Sequence, residues 1–246
     1  MVDLKLLKVA CKDCRLAELC LPRGLNPEEV AQLDAVIKRA QPLARGAYLY
    51  RQGERLNGLY AVRSGSLRAY LTSPDGTEQT VGFYMPGELL GLDGLAQERH
   101  GCGAVALETS SVCELPLKRL GELCAKVPGF HRQMMRLIGK EVSSEQETLL
   151  LLGSRTAEER LAAFLLSLST RFAQRGFSST EFNLSMSRHE IANFLGLAPE
   201  TVSRQFSNFH EKGTLSVEGR KIKVHDLDRL RSMVEPCLNR PAASVS

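Results

Sequence analysis

The sequence predicts an α+β chain: an N-terminal antiparallel β roll, then a long helix, then a C-terminal winged helix-turn-helix. Three observations carry this. Nine glycines from Gly46 to Gly94 punctuate short apolar runs at turn spacing. Apolar residues from Met135 to Leu152 recur in steps of three, four and seven. Two capped helical patterns joined by Gly196-Leu-Ala198 are followed by a two-stranded hairpin. Four segments result: a cysteine-rich arm (1–24), the roll (25–126), a dimerisation helix (127–153) and the winged helix-turn-helix (154–246).

A chain of 246 residues has room for two domains. Its 43 % hydrophobic and 24 % charged composition is that of an ordinary soluble globular protein. The net charge of +4 admits nucleic acid as a partner without requiring it. Seven cysteines, an odd number in a chain this large, argue against a disulfide framework. Reduced thiols and a cytoplasmic setting are expected instead. No apolar run approaches the ~18 residues of a membrane span. Lys5 and Lys8 break the apolar start, which makes it a poor signal peptide. No nucleophile–base pair or catalytic carboxylate pair stands out, so an enzyme is not expected. The small polar tail after Pro236 is expected to fray.

The arm reads Cys11-Lys-Asp-Cys14-Arg-Leu-Ala-Glu-Leu-Cys20, three cysteines as C-x2-C-x5-C. Three thiolates cannot close a four-ligand soft-metal site, so a fourth ligand must come from elsewhere. Spacing alone leaves an iron–sulfur cluster, a zinc knot and plain buried cysteines all open.

Asn26-Pro27-Glu28-Glu29 opens a helix with a capping-box pattern, expected to run to about Ala40 and stop before Pro42. Strand-like runs follow at 59–62, 67–70, 79–83, 104–107 and 111–115, the last containing Cys113. Ser64-Gly65 and Asp75-Gly76 are their hairpin turns. From about Pro128 to Leu152 a long helix carries the seam Met135, Ile138, Val142, Leu149 and Leu152. The remaining seat holds Glu145. The seam is expected to pack on the roll and to pair with its own copy. Glu145 then meets a like charge and opposes association; the alternative is that it leans into solvent.

Thr156-Ala-Glu-Glu159 caps the next helix, whose apolar face is Leu161, Phe164, Leu165, Leu168 and Phe172. Ser187-Arg-His-Glu190 caps the first helix of the helix-turn-helix, through Leu195. Pro199-Glu200 opens the second, to about Glu211. Residues 213–217 and 221–224 form the wing, turned at Glu218-Gly219. An ordinary helical corner lacks this wing.

With these motifs the chain resembles the CRP/FNR superfamily along nearly its whole length, in the branch of the fumarate and nitrate reduction regulator (FNR). The resemblance lies in Cys11–Cys14–Cys20 and Ala106-Leu-Glu-Thr-Ser-Ser-Val-Cys113-Glu-Leu-Pro. It lies also in Gln133-Met-Met-Arg-Leu137, Ala157-Glu-Glu-Arg-Leu-Ala-Ala-Phe164, Arg171-Phe-Ala-Gln-Arg-Gly-Phe-Ser178 and Glu200-Thr-Val-Ser-Arg204. It implies that the roll is a cyclic-nucleotide-binding-like jelly roll. It implies a [4Fe–4S] cluster on Cys11, Cys14, Cys20 and Cys113, assembled without oxygen. It further implies a homodimer when the cluster is loaded, and an oxygen-sensing activator on promoter DNA. RNA polymerase is the implied partner of the 74–78 turn, Ser64, Thr109 and residues 175–178.

On double-stranded DNA, Arg204 suits a guanine edge, Glu200 a cytosine amino group and Ser203 a neighbouring base. These match the family's base readers, which implies a palindromic TTGAT-like site. Arg188, Lys212 and the wing cations Arg220, Lys221 and Lys223 are the expected phosphate contacts. Two departures stand out: Arg15 beside Cys14, and Ala198-Pro199 at the recognition-helix start, where Ala is a poor cap. Cys102, Cys124 and Cys237 are outside the ligand pattern and read as small apolar fillers. Two alternatives share the fold. A cyclic-nucleotide-responsive regulator is suggested by Pro86-Gly-Glu-Leu89 and Arg99, although His100 stands where Ser or Thr should follow. A zinc- or thiol-based regulator is the other.

Overall fold

The computed structural model describes residues 10–234. The start, with Lys5 and Lys8, and the tail, with Cys237, lie outside the described residues. The chain forms two compact units, one reaching Val142 and one beginning at Ser143.

Helix α1 (Pro27–Val36) begins with the expected capping box. The Asn26 side chain accepts the Glu29 N–H at 2.9 Å, and Glu29 accepts the Asn26 N–H at 3.0 Å. The helix ends at Val36, short of Ala40. The reason is tertiary: Lys38 and Arg39 form a short strand β1 paired with Glu114 and Cys113. Strands β2 (Tyr48–Tyr50), β3 (Gly58–Ser64), β4 (Leu67–Thr72), β5 (Glu78–Tyr84), β6 (Leu89–Leu90), β7 (Gly103–Ala106) and β8 (Ser111–Pro116) complete the roll.

Its two four-stranded antiparallel sheets run β1-β8-β3-β6 and β2-β7-β4-β5. Residues of both sheets, among them Leu59, Leu67, Leu90, Ala104 and Leu115, are buried. Gly65 turns β3 into β4 at φ +75, where an added methyl would lie 2.3 Å from the Ser110 hydroxyl. Only glycine fits there.

Helix α2 (Leu117–Lys126) follows β8 directly. Its cap residue, Pro116, offers no side-chain hydrogen bond, so no sequence signal announces its start. Helix α3 (Pro128–Ser154) is the long helix. Phe130, Gln133 and Met134 are buried near its start. Of the seam, Met135, Val142 and Leu149 are 54 %, 48 % and 71 % exposed, Glu145 is exposed, and Ile138 and Leu152 are half-buried.

The second unit contains α4 (Ala157–Gln174), β9 (Glu181–Asn183), α5 (Arg188–Leu195), α6 (Pro199–Glu211), β10 (Leu215–Glu218), β11 (Lys221–Val224) and α7 (Leu227–Val234). The capping boxes at Thr156 and Ser187 are both formed. Leu161, Leu165, Leu168, Ile191, Leu195, Val202, Phe209 and Leu230 make its core. The wing is a three-stranded sheet, β10-β11-β9, rather than a bare hairpin.

Candidate functional site

The arm winds into two short 3-10 turns, Cys11–Asp13 and Ala17–Leu19, with every cysteine half-buried. Two anchors hold it. Asp34 of α1 accepts the Cys11 backbone N–H at 2.8 Å. Gln133 of α3, itself buried, donates to the Cys20 carbonyl at 3.0 Å. Cys113 sits on β8 opposite Arg39 of β1 and Ala61 of β3. Cys11, Cys20 and Cys113 pack against one apolar cluster that includes Leu21, Leu33, Leu59 and Leu89. Cys14 is close enough for its charge to act on Cys20 and on Cys113.

Burial pushes the Cys11 and Cys20 thiols up to about 12, and the neighbouring Cys113 pushes both the same way. Asp34 adds to the shift at Cys11. Burial also raises Cys113, against the pull of Arg39 and Arg63. Without a cation these sulfurs hold their protons; a soft metal replaces protons as it binds. Among the described residues no three His, Cys, Asp or Glu side chains reach the spacing of a single metal ion. The candidate donors are four thiols, three from a short arm and one from a strand, a set whose chemistry fits an iron–sulfur cluster and also zinc.

Of the remaining described cysteines, Cys124 borders the same apolar cluster as Cys11, Cys20 and Cys113 and differs in its place on α2. Cys102 donates from its backbone and its thiol to Asp93. Cys124 on α2 is raised by burial alone. Arg15 is exposed. Asp34 and Gln133, which position the arm, were not anticipated from sequence. Asp34 gives no local signal there, and Gln133 was read only as part of a family motif.

In the roll, Arg99 donates to the Gly53 carbonyl at 2.8 Å. His100 is buried and stacks flat on Tyr50, ring centroids 3.5 Å apart. His100 is thus part of the wall.

In the second unit, Gly196 makes the left-handed turn between α5 and α6 at φ 63. Ala198 gives α6 no side-chain cap, and Pro199 occupies the first helical position. Val202, Phe206 and Phe209 bury one face of α6, while Glu200, Ser203 and Arg204 are exposed. Arg204 leans on the Thr201 hydroxyl at 3.3 Å, and the Ser203 hydroxyl donates to the Pro199 carbonyl.

Four of the expected phosphate contacts, Lys212, Lys221, Arg220 and Arg188, are engaged within the chain. Lys212 pairs with Glu158 at 3.0 Å and Lys221 with Glu181 at 2.6 Å. Arg220 donates to the Ser185 carbonyl. The Arg188 guanidinium lies 3.3 Å from the Phe206 ring centroid, and its Nη1 is buried without a hydrogen-bond partner. Burial brings Arg188 down to about 10. On the surfaces expected to meet polymerase, Thr109 is exposed and Phe177 is 64 % exposed.

Fold and site together define a helix-turn-helix protein whose N-terminal roll carries a thiol-rich arm. Residues 40–127 match the model of the cyclic nucleotide-binding domain, and residues 159–233 match the Crp-like helix-turn-helix domain. The chain is 50 % identical to the transcriptional activator protein Anr of Pseudomonas protegens over 216 residues, 88 % of each chain. It is 44 % identical to the fumarate and nitrate reduction regulatory protein of Escherichia coli K12 over 225 residues, 92 % of this chain and 90 % of that one. The structure of FixK2 from Bradyrhizobium japonicum superposes with a TM-score of 0.75 at 30 % identity, covering 81 % of this chain and 98 % of that one. The chain belongs to the Crp/FNR family. The relatives it matches here are named as transcriptional regulators, not as enzymes.

Proposed function

We propose that this chain is a DNA-binding transcriptional activator that senses oxygen through a [4Fe–4S] cluster held by Cys11, Cys14, Cys20 and Cys113. Cluster-loaded, it forms a homodimer through α3 and binds a palindromic TTGAT-like promoter site, where it meets RNA polymerase. Its setting is the cytoplasm; among the described residues no helix is long and apolar enough to cross a membrane.

The observation that carries the reading is the placement of the thiols. Cys11 and Cys20 from the arm and Cys113 from β8 border one apolar cluster, as Cys124 of α2 also does, and Cys14 lies close to Cys20 and Cys113. When bound, a cluster would supply an oxygen-labile link between the arm and β8. The chain's own residues do the rest. Asp34 and Gln133 hold the arm near β8. The apolar neighbours limit water. The exposed Met135, Val142 and Leu149 supply a seam that a second copy can cover, and Glu145 opposes that pairing. Glu200, Ser203 and Arg204 read bases from the exposed face of α6.

The test is the absorbance of anaerobically purified protein, with iron and sulfide counts, followed by exposure to air. Charge-transfer bands that bleach in air, at about four irons per chain, support the reading. A colourless protein with zinc, or with no metal, overturns it.

A further inference from the structure

The arm touches the roll at a second place, away from its sulfurs. Leu19, beside Cys20, lies against Gly87, where an added methyl would stand 3.0 Å from the Leu19 Cβ. Gly87 adopts φ +91 and donates to the Val62 carbonyl at 2.8 Å. The turn around it is stiff. Met85 donates to the Glu88 carboxylate at 2.9 Å, and Glu88 donates back to the Met85 carbonyl at 3.0 Å.

Three residues before Gly87 stands Tyr84, the last residue of β5. Its hydroxyl donates to Glu141 Oε1 of α3 at 2.8 Å. Glu141 precedes the exposed Val142 and shares a helix face with Glu145, four residues on. Gln133 holds Cys20 from the start of α3, and Tyr84 reaches the same helix about two turns further along. A short path thus runs from the arm through Gly87 and Tyr84 to the seam. Burial holds the Tyr84 phenol well above its ordinary value, followed by the adjacent Glu141 charge, so it stays a donor.

We propose that Tyr84 is a positioning residue that carries the state of the cysteine arm to the dimerisation seam, by fixing Glu141 through one directional hydrogen bond. The proposal rests on the cluster-controlled dimer above. With the arm drawn against β8, Leu19 bears on the Gly87 turn and Tyr84 holds Glu141 in register with the roll. With the arm released, that support is lost and the helix face near Val142 and Glu145 is free to shift.

The experiment measures dimer dissociation constants by sedimentation, with and without the cluster, in wild type, Tyr84→Phe, Glu141→Gln and Glu141→Ala. Iron and sulfide are counted in each sample and melting is followed in parallel. Tyr84→Phe removes one hydroxyl and leaves the thiols untouched. Its cluster content should match wild type, while the ratio of apo to loaded dissociation constants falls about tenfold, within the usual span of allosteric couplings. Glu141→Gln keeps an acceptor oxygen and should retain the wild-type ratio, whereas Glu141→Ala should behave like Tyr84→Phe. If the wild-type ratio is large and Tyr84→Phe leaves it unchanged, the proposal is overturned, even where the variant melts earlier. If wild type holds its cluster and shows no ratio, both this proposal and cluster-controlled dimerisation fall. If wild type holds no cluster, the cofactor reading falls first and takes the proposal with it.

Discussion

One oxygen of Asp34, Oδ1, accepts both the Cys11 backbone N–H at 2.8 Å and the Arg39 guanidinium of β1. Arg39 in turn is the strand partner of Cys113. The first and last of the four proposed ligands are therefore tied through one acid and one base. Asp34→Ala should loosen the arm without touching a sulfur. The expected loss is about 1 kcal/mol, the net scale of one such hydrogen bond. Hydrogen exchange over residues 11–20 of the apoprotein should quicken about fivefold, and cluster lifetime in air should shorten. Unchanged exchange would show that the arm is held elsewhere.

The proposed ligands differ from the other cysteines by their pattern along the chain. Changing Cys11, Cys14, Cys20 or Cys113 to Ala should abolish cluster assembly, read by iron and sulfide content. Cys102→Ala and Cys124→Ala should leave it intact, since Cys102 is turned to Asp93 and Cys124, although it borders the same apolar cluster, stands on α2 outside the C-x2-C-x5-C arm and β8. Cys237→Ala should do the same. A full cluster in the Cys113→Ala protein would sink the ligand assignment.

Arg204→Ala should relax discrimination at one guanine per half-site by about 1–3 kcal/mol. Lys221→Ala should weaken every duplex alike and flatten the salt dependence. The ion pair with Glu181 adds a converse: Glu181→Gln releases Lys221 and should strengthen binding to random DNA severalfold. Titrations on specific and scrambled duplexes at two salt concentrations distinguish these. Equal loss on both duplexes for Arg204→Ala would remove α6 as the reader.

Glu145 stands exposed on α3 between Val142 and Leu149, which are exposed themselves. In a paired seam two such carboxylates approach each other, and either they repel or one binds a proton. Glu145→Ala should therefore dimerise and bind DNA in air, without a cluster. Sedimentation of aerobic wild type beside the variant decides it. Two monomeric samples, or an already tight wild-type apo dimer, would show that Glu145 is no brake.

The features legible in sequence are those whose physics is local. Asn26 with Glu29, Thr156 with Glu159 and Ser187 with Glu190 each cap a helix over three residues, and each box is formed. Gly65, Gly76 and Gly196 mark turns because their backbone needs positive φ. What escaped notice depends on distant partners. Helix α1 stops at Val36 because β8, more than seventy residues on, claims Lys38 and Arg39. Helix α2 starts from a proline with no capping side chain. The strand β9 joins the wing by pairing Glu181, Phe182 and Asn183 with Lys223, Ile222 and Lys221 of β11, some forty positions on. At the site, residue types and spacing were readable, but the hold of Asp34 on Cys11 and of Gln133 on Cys20 spans 23 and 113 positions. No periodicity records such pairs.

The pairing of Lys212 with Glu158 and of Lys221 with Glu181 bears on time as well as strength. On the proposed reading, a bare lysine that meets a phosphate frees a counterion condensed on the DNA, whereas these two must first part from a carboxylate of their own chain. On random sequence that exchange would return little, so residence would be brief. Only where α6 also found its bases would the exchange persist. The ion pairs would then shorten unproductive stops along a genome and leave more of the search for the few sites that matter.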